Sequence, residues 1–206
     1  FSYSYPAQAG AIAALKALLD ADADKQRAQL LSEVKEGRAA AKEAGFDYNP
    51  YDRNIAWQLV AEVPGWLSLS ASKGSYSGGA HPNHWFDAML WDKAAGRRRT
   101  AADLFRSKAA LSQAIREDFC REIDRQRAEK RGEPVVRSPD NLFSECIDPL
   151  ENAVILGSSN RQRFDRIGVL VAPYQAGPYA EGDFEVTLPV TAAVLAAVKP
   201  EYRASF

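Results

Sequence analysis

The chain has 206 residues, a net charge of −1 and 46% hydrophobic residues, enough for a substantial core in one large or two small domains. With 26 basic against 27 acidic residues it lacks the cationic excess of a protein that binds nucleic acid by neutralising phosphates. No run approaches the roughly 20 apolar residues of a membrane-spanning helix, and the apolar and aromatic content excludes a disordered chain.

Phe1-Ser-Tyr-Ser-Tyr-Pro6 alternates aromatic and small polar residues, the pattern of a short strand ended by proline. Residues 8–45 are rich in alanine, leucine, lysine and glutamate, all good helix formers. Ile12, Leu15, Leu18 and Leu19 form one apolar stripe and Leu30, Leu31 and Val34 a second. Asp20-Ala-Asp-Ala-Asp24 between them predicts a bend, hence two helices or one kinked helix, with Gly45 as the stop. Residues 55–63 and 66–72 are strand-like and meet at the turn dipeptide Pro64-Gly65. Another aromatic run covers residues 84–91 and closes in a turn at 92–96. Thr100-Ala-Ala-Asp103 has the spacing of a helix-capping arrangement. Ser107 then opens a long helix with Leu111, Ile115, Phe119 and Ile123 at spacing four, ending near Gly132-Glu-Pro134.

The last third returns to strands: residues 153–157 and 164–172 form a hairpin about Ser158-Ser-Asn160, and Phe184-Glu-Val-Thr-Leu-Pro189 alternates. Thr191 opens a final alanine-rich helix that Pro200 ends. Helical blocks and strand runs are segregated, with no repeat or linker. The expected fold is therefore α+β: one compact module, residues 1–206, with an antiparallel β-sheet and helices packed on one face.

Three segments carry candidate chemistry. Gly74-Ser-Tyr-Ser-Gly-Gly-Ala-His-Pro-Asn83 combines backbone freedom at Gly78 and Gly79 with Tyr76, Ser77 and His81, either as a ligand loop or as a bend between strands with a locally bonded His81. Ala172-Pro-Tyr-Gln-Ala-Gly-Pro-Tyr-Ala-Glu-Gly182 holds two Pro-Tyr pairs, Pro173-Tyr174 and Pro178-Tyr179. Proline limits the entropy lost on binding and tyrosine offers a flat apolar face with a polar tip, although the same residues suit a structured turn packed on the sheet. His81 and His84 are the only histidines, and even with Asp87, Glu181 or Asp183 their spacing matches no metal-ligand motif. No nucleophile elbow and no phosphate-cradling glycine loop is present, so neither a metal nor a cofactor is expected. Arg97-Arg-Arg99 and the arginines from Arg116 to Arg131, interleaved with acids, read as solvated, ion-paired surface. The acidic residues 20–24 and 140–151 suit a basic partner or plain solvated surface.

Cys120 and Cys146 are too few for a zinc site of the paired-cysteine type. They are either two buried thiols or one disulfide, which would stabilise the fold by roughly 3 kcal/mol.

Taken in order, Tyr76-Ser-Gly-Gly-Ala-His-Pro-Asn83, Thr100-Ala-Ala-Asp-Leu-Phe105, the Pro173 to Gly182 loop and Val186-Thr-Leu-Pro189 resemble the extracytoplasmic domain of RsiV-type anti-sigma factors and the amino-terminal module of PdaC-type peptidoglycan deacetylases. Residues 1–73 resemble the first half of that module and residues 74–206 the second. The resemblance implies an exported, envelope-associated domain. RsiV-type members bind lysozyme, and in the deacetylases catalysis lies in a separate domain. The chain carries neither a sigma-binding segment nor a deacetylase domain, so the expectation is a non-catalytic binding module directed at lysozyme or peptidoglycan. Its contact residues would be Tyr76, Ser77, Gly78, Gly79, His81, Pro173, Tyr174, Pro178 and Tyr179. The alternatives are a cell-wall hydrolase using His81 with a nearby carboxylate and a purely structural domain. An exported setting favours a Cys120–Cys146 disulfide. The first residue is Phe1 and the one methionine is Met89, which is compatible with a removed leader or an upstream lipid anchor.

Overall fold

The computed structural model describes residues 1–138 and 141–206, so Asp140, at the head of the acidic 140–151 segment, lies outside the described residues. The elements run β1 (Ser2–Ser4), α1 (Ala7–Gly10), α2 (Ala13–Ala44), β2 (Asp52–Val63), β3 (Trp66–Tyr76), β4 (Asn83–Asp92), β5 (Arg97–Arg99), α3 (Lys108–Arg131), β6 (Ala153–Gly157), β7 (Arg166–Val171), β8 (Phe184–Pro189) and α4 (Ala192–Ala197). The fold is α+β. Its strands form two sheets rather than one, five strands ordered β1-β2-β3-β4-β5 and three ordered β6-β7-β8. Pairing is mostly antiparallel, but β1 lies parallel to β2, with Tyr3 opposite Ile55. That parallel pair is possible because α1 and α2 supply the long crossover it requires. No helix of the described residues is long and apolar enough to cross a membrane.

The chain divides into two compact units, residues 1–58 with 71–85 and residues 59–70 with 86–206. In the first unit the expected bend at residues 20–24 is absent, and α2 runs unbroken to a left-handed Gly45 cap (φ 74°). Two of the acids that suggested a bend, Asp20 and Asp22, are bonded instead. Tyr5 Oη donates to Asp20 Oδ1 at 2.7 Å and Tyr3 Oη to Asp22 Oδ2 at 2.9 Å. Lys16, one turn back, and then Tyr5 hold the Asp20 carboxyl below its ordinary pKa. With their carboxylates so engaged, these aspartates do not compete for the helix backbone. Leu15, Leu19, Leu30 and Ala41 of α2 are buried, as are Ile55 and Trp57 of β2. Arg53, 8% exposed, donates to Glu33 Oε2 at 2.8 Å and to Gln26 Oε1 at 3.1 Å.

In the second unit, Thr100 and Asp103 form the expected reciprocal cap, and Ser107 Oγ accepts from the Ala110 N–H at the start of α3. Leu111, Ile115, Phe119 and Ile123 are all buried against a core that includes Phe105, Phe164, Val169 and Phe184. At about 1.5–3 kcal/mol for each fully buried large apolar side chain, this stripe outweighs the few tenths each surface ion pair of α3 adds. Apolar burial therefore decides which way the helix faces. The arginine run 97–99 is a strand paired to β4, with Trp91 opposite Arg98.

Candidate functional site

The glycine-rich loop of the first unit joins β3 to β4. Gly78 sits in the left-handed region (φ 82°), where a side chain would be strained. The Asn49 side-chain amide donates to its carbonyl at 3.5 Å. His81 Nδ1 lies 2.9 Å from the Pro82 carbonyl oxygen, a local bond of the kind a strand-to-strand bend makes. His84, inside β4, bonds Ser72 of β3 through Nε2 at 3.0 Å. The two histidines therefore serve different local roles. Among the described residues no group of three or more His, Cys, Asp and Glu side chains could hold a metal ion.

Tyr51 is the residue that sequence reading missed here. A Cβ placed on Gly37, inside the C-terminal part of α2, would lie 2.5 Å from Tyr51 Oη, nearer than real Cβ atoms come. One on Gly78 would lie 3.5 Å from a Tyr51 ring carbon. The phenol thus rests against the bare backbone of α2 on one side and borders the Gly78 loop on the other. An isolated glycine inside a strongly helical segment was the available signal. Tyr51 also lines a recess of about 270 Å³, with Tyr48 5.1 Å from it ring to ring.

In the second unit the Pro-Tyr loop is a braced projection. Ala176 and Gly177 at its centre are buried, whereas Tyr174 is 52% exposed and adopts φ 69°. Its backbone N–H donates to the Gly177 carbonyl at 3.0 Å, closing the turn. The Tyr174 and Tyr179 rings lie 5.7 Å apart, tilted by 36°. The bracing comes from the end of α3. Arg127, wholly buried, donates from Nε to the Ala176 carbonyl at 2.8 Å and from Nη1 to Asp124 Oδ1 at 3.1 Å. Burial lowers the pKa of its guanidinium, and the Asp124 carboxylate partly offsets this. Arg131 makes a two-pronged bond to Glu181 at 2.8 and 3.1 Å. Lys130 donates to the Glu181 and Asp183 carbonyls at 2.5 and 2.7 Å.

Not all the α3 arginines are solvated surface, then. Arg121 and Arg125 are exposed and paired along the helix, but Arg127 and Arg131 turn onto the loop. The signal lay in the spacing, since Arg127 is the next step of four after Ile123 on the buried stripe.

Cys120 and Cys146 form a disulfide, with Cα atoms 5.5 Å apart. It fastens the segment after α3 to the helix, and Ser144 beside it accepts at its carbonyl from Arg137 Nη1 at 2.8 Å. Asp148, farther along, is engaged by Ser112 Oγ at 3.0 Å within an open groove of about 640 Å³ that Lys108, Arg116 and Glu151 also line.

Residues 1–84 match the family model described as "Deacetylase PdaC". No curated protein matches the chain. Among solved structures, a DUF3298 family member from Bacteroides fragilis NCTC 9343 superposes with a TM-score of 0.55 at 15% identity, over 91% of this chain and 71% of that one. A DUF3298 family protein from Pseudomonas aeruginosa PAO1 gives 0.45 at 17% identity, over 78% and 69%. The expected likeness to the PdaC-type module is thus found in residues 1–84, and the chain shares the fold of the Bacteroides fragilis DUF3298 structure.

Proposed function

We propose that the chain is a non-catalytic, extracytoplasmic binding module of the cell envelope, and that it recognises a lysozyme-like protein or peptidoglycan chiefly through the Pro173–Tyr179 loop. The observation that carries this reading is the braced tyrosine pair, Tyr174 exposed and Tyr179 half-buried. Tyr174 and Tyr179 stand 5.7 Å apart on a loop whose buried centre is bonded to Arg127. Aromatic side chains held rigid before binding lose little entropy on contact, which is what an anchor needs. Stacking on sugar rings and filling a saccharide cleft both use the same flat, polar-tipped surface. The disulfide supports an oxidising, extracytoplasmic setting. The Tyr76, Ser77, Gly78, Gly79 and His81 loop is proposed as a further contact element, considered in its own unit.

The test is titration calorimetry of the chain against a chicken-type lysozyme, with soluble peptidoglycan fragments in parallel. Saturable binding of either that Tyr179→Ala weakens is the expected result. Saturable binding unchanged in both Tyr174→Ala and Tyr179→Ala removes the loop from the interface. Turnover of the fragments would replace the binding reading with the hydrolase that uses His81.

A further inference from the structure

The recess beside Tyr51 has a composition of its own. Arg27, Leu31, Val34 and Arg38 recur along one face of α2, at the three-to-four-residue steps that share a helix surface. Tyr48 and Tyr51 form the opposite wall, and the volume is about 270 Å³. Leu31 is 61% exposed. Phe1 also borders this stripe, which stays open to solvent at Leu31.

The charges at the recess are of one sign. The charged side chains lining it are Arg27 and Arg38, and among the described residues neither has a carboxylate at ion-pair distance. Of the acids of α2, Glu33 is committed to Arg53, Glu36 accepts from Ser32, Asp22 accepts from Tyr3, and Asp20 is held by Lys16 and Tyr5. The Arg38 guanidinium carbon lies over the Tyr48 ring, 5.3 Å from its centre, a cation–π contact. Among the described residues no hydrogen bond or ion pair takes up the Arg38 N–H groups, whose planar fork is the donor set that pairs with a carboxylate.

We propose that this recess is a ligand site for a small amphiphilic carboxylate. An aromatic or branched apolar body lies between Leu31, Val34 and the two tyrosines, and the carboxylate meets Arg38. The volume lies just below the roughly 300–1,000 Å³ of sites for drug-sized ligands, which limits the occupant to a compact molecule. Gly37 belongs to the same device. By carrying no Cβ it lets Tyr51 lie close against α2 and gives the recess its aromatic wall. The site is independent of the Pro-Tyr loop, so its failure would leave that reading untouched.

The experiment is a titration of the isotopically labelled full chain with phenylbutyrate, followed by amide chemical shifts. Phenylbutanol serves as the neutral counterpart and acetate as the charge without the body. The expected result is saturable shifts clustered in residues 27–51 for phenylbutyrate alone. Affinity should fall at least about ten-fold in Arg38→Gln and be lost in Leu31→Asp. Both positions are exposed, and an unchanged circular dichroism spectrum and melting midpoint establish that the variants fold. Equal binding of the alcohol, binding unaffected by Arg38→Gln, or no saturation by phenylbutyrate each overturns the proposal.

Discussion

Arg127 Nε donates to the Ala176 carbonyl at 2.8 Å across 49 residues of sequence, so the last turns of α3 hold the centre of the Pro-Tyr loop. The guanidinium continues the apolar stripe of its helix and is as buried as Phe119. A buried cation is tolerated where its donors meet acceptors; here the loop carbonyl takes Nε and Asp124 takes Nη1, while Nη2 has no hydrogen-bond partner among the described residues. Because a carbonyl buried without a donor is costly, the loop conformation and the helix position stabilise each other.

Arg127→Met is expected to destabilise the protein by about 1.5–3 kcal/mol, measured by chemical denaturation. Amide exchange at Ala176 and Gly177 should rise. Arg127→Lys keeps the charge but loses the planar fork, so it should restore only part of the loss. Full recovery with lysine would show that charge alone matters at this position.

Tyr174 holds a left-handed backbone, which costs a non-glycine residue about 1–2 kcal/mol. Tyr174→Gly should therefore leave the melting midpoint unchanged or raise it while weakening capture of lysozyme or peptidoglycan. Tyr179→Ala should weaken the same binding by at least about 1 kcal/mol, read by calorimetry.

Gly37→Ala reverses the ordinary rule for helices. Replacing a mid-helix glycine normally gains about 0.5–1 kcal/mol, but here the new methyl meets the Tyr51 phenol. The substitution should yield no gain in the native background and recover the usual gain when Tyr51 is alanine. Thermal denaturation of the four chains of this cycle measures the coupling directly.

Reduction of Cys120–Cys146, which closes a loop with a sequence separation of 26, is expected to cost about 3.5 kcal/mol in the chain-entropy treatment. A denaturant series with and without reductant checks it. Proteolysis under reducing conditions should cut first in the segment after α3.

Asp92 sets an acid limit. Burial pushes its carboxyl up, but the Ala95 N–H and the Arg99 guanidinium, 2.8 Å away, outweigh this and hold it below its ordinary value. A lowered folded pKa means the stabilisation is present above the unfolded value near 3.8 and is lost as pH falls through the folded value. Asp92→Asn should be less stable than the native chain at neutral pH by about 1.5–3 kcal/mol. The gap should narrow as the medium is acidified below that value.

Much of the fold was legible because it is written in local patterns. The alternation along β2, the Pro64-Gly65 turn, the Thr100–Asp103 cap, the Ser107 cap and the Gly45 and Gly132 stops all act within a few residues, where side-chain chemistry and backbone geometry are directly coupled. The two loops were visible for the same reason, as clusters of glycine, proline and tyrosine. Arg127 was half legible: its position on the stripe of four pointed inward, while its charge and acidic neighbours pointed to solvent.

The sequence by itself determined the α+β class, the caps, the apolar faces and the loops, since these rest on periodicity and on short-range bonding. Only the tertiary structure decided that residues 20–24 stay helical, with Asp20 and Asp22 taken up by Tyr5 and by Tyr3 of β1, which lie 15 and 19 residues earlier in the chain. It also decided that β1 runs parallel to β2, that Gly37 makes room for Tyr51 and that two of the helix arginines hold a loop rather than face water. Each of these depends on which distant group arrives opposite a given side chain, and that is set by packing of the whole chain.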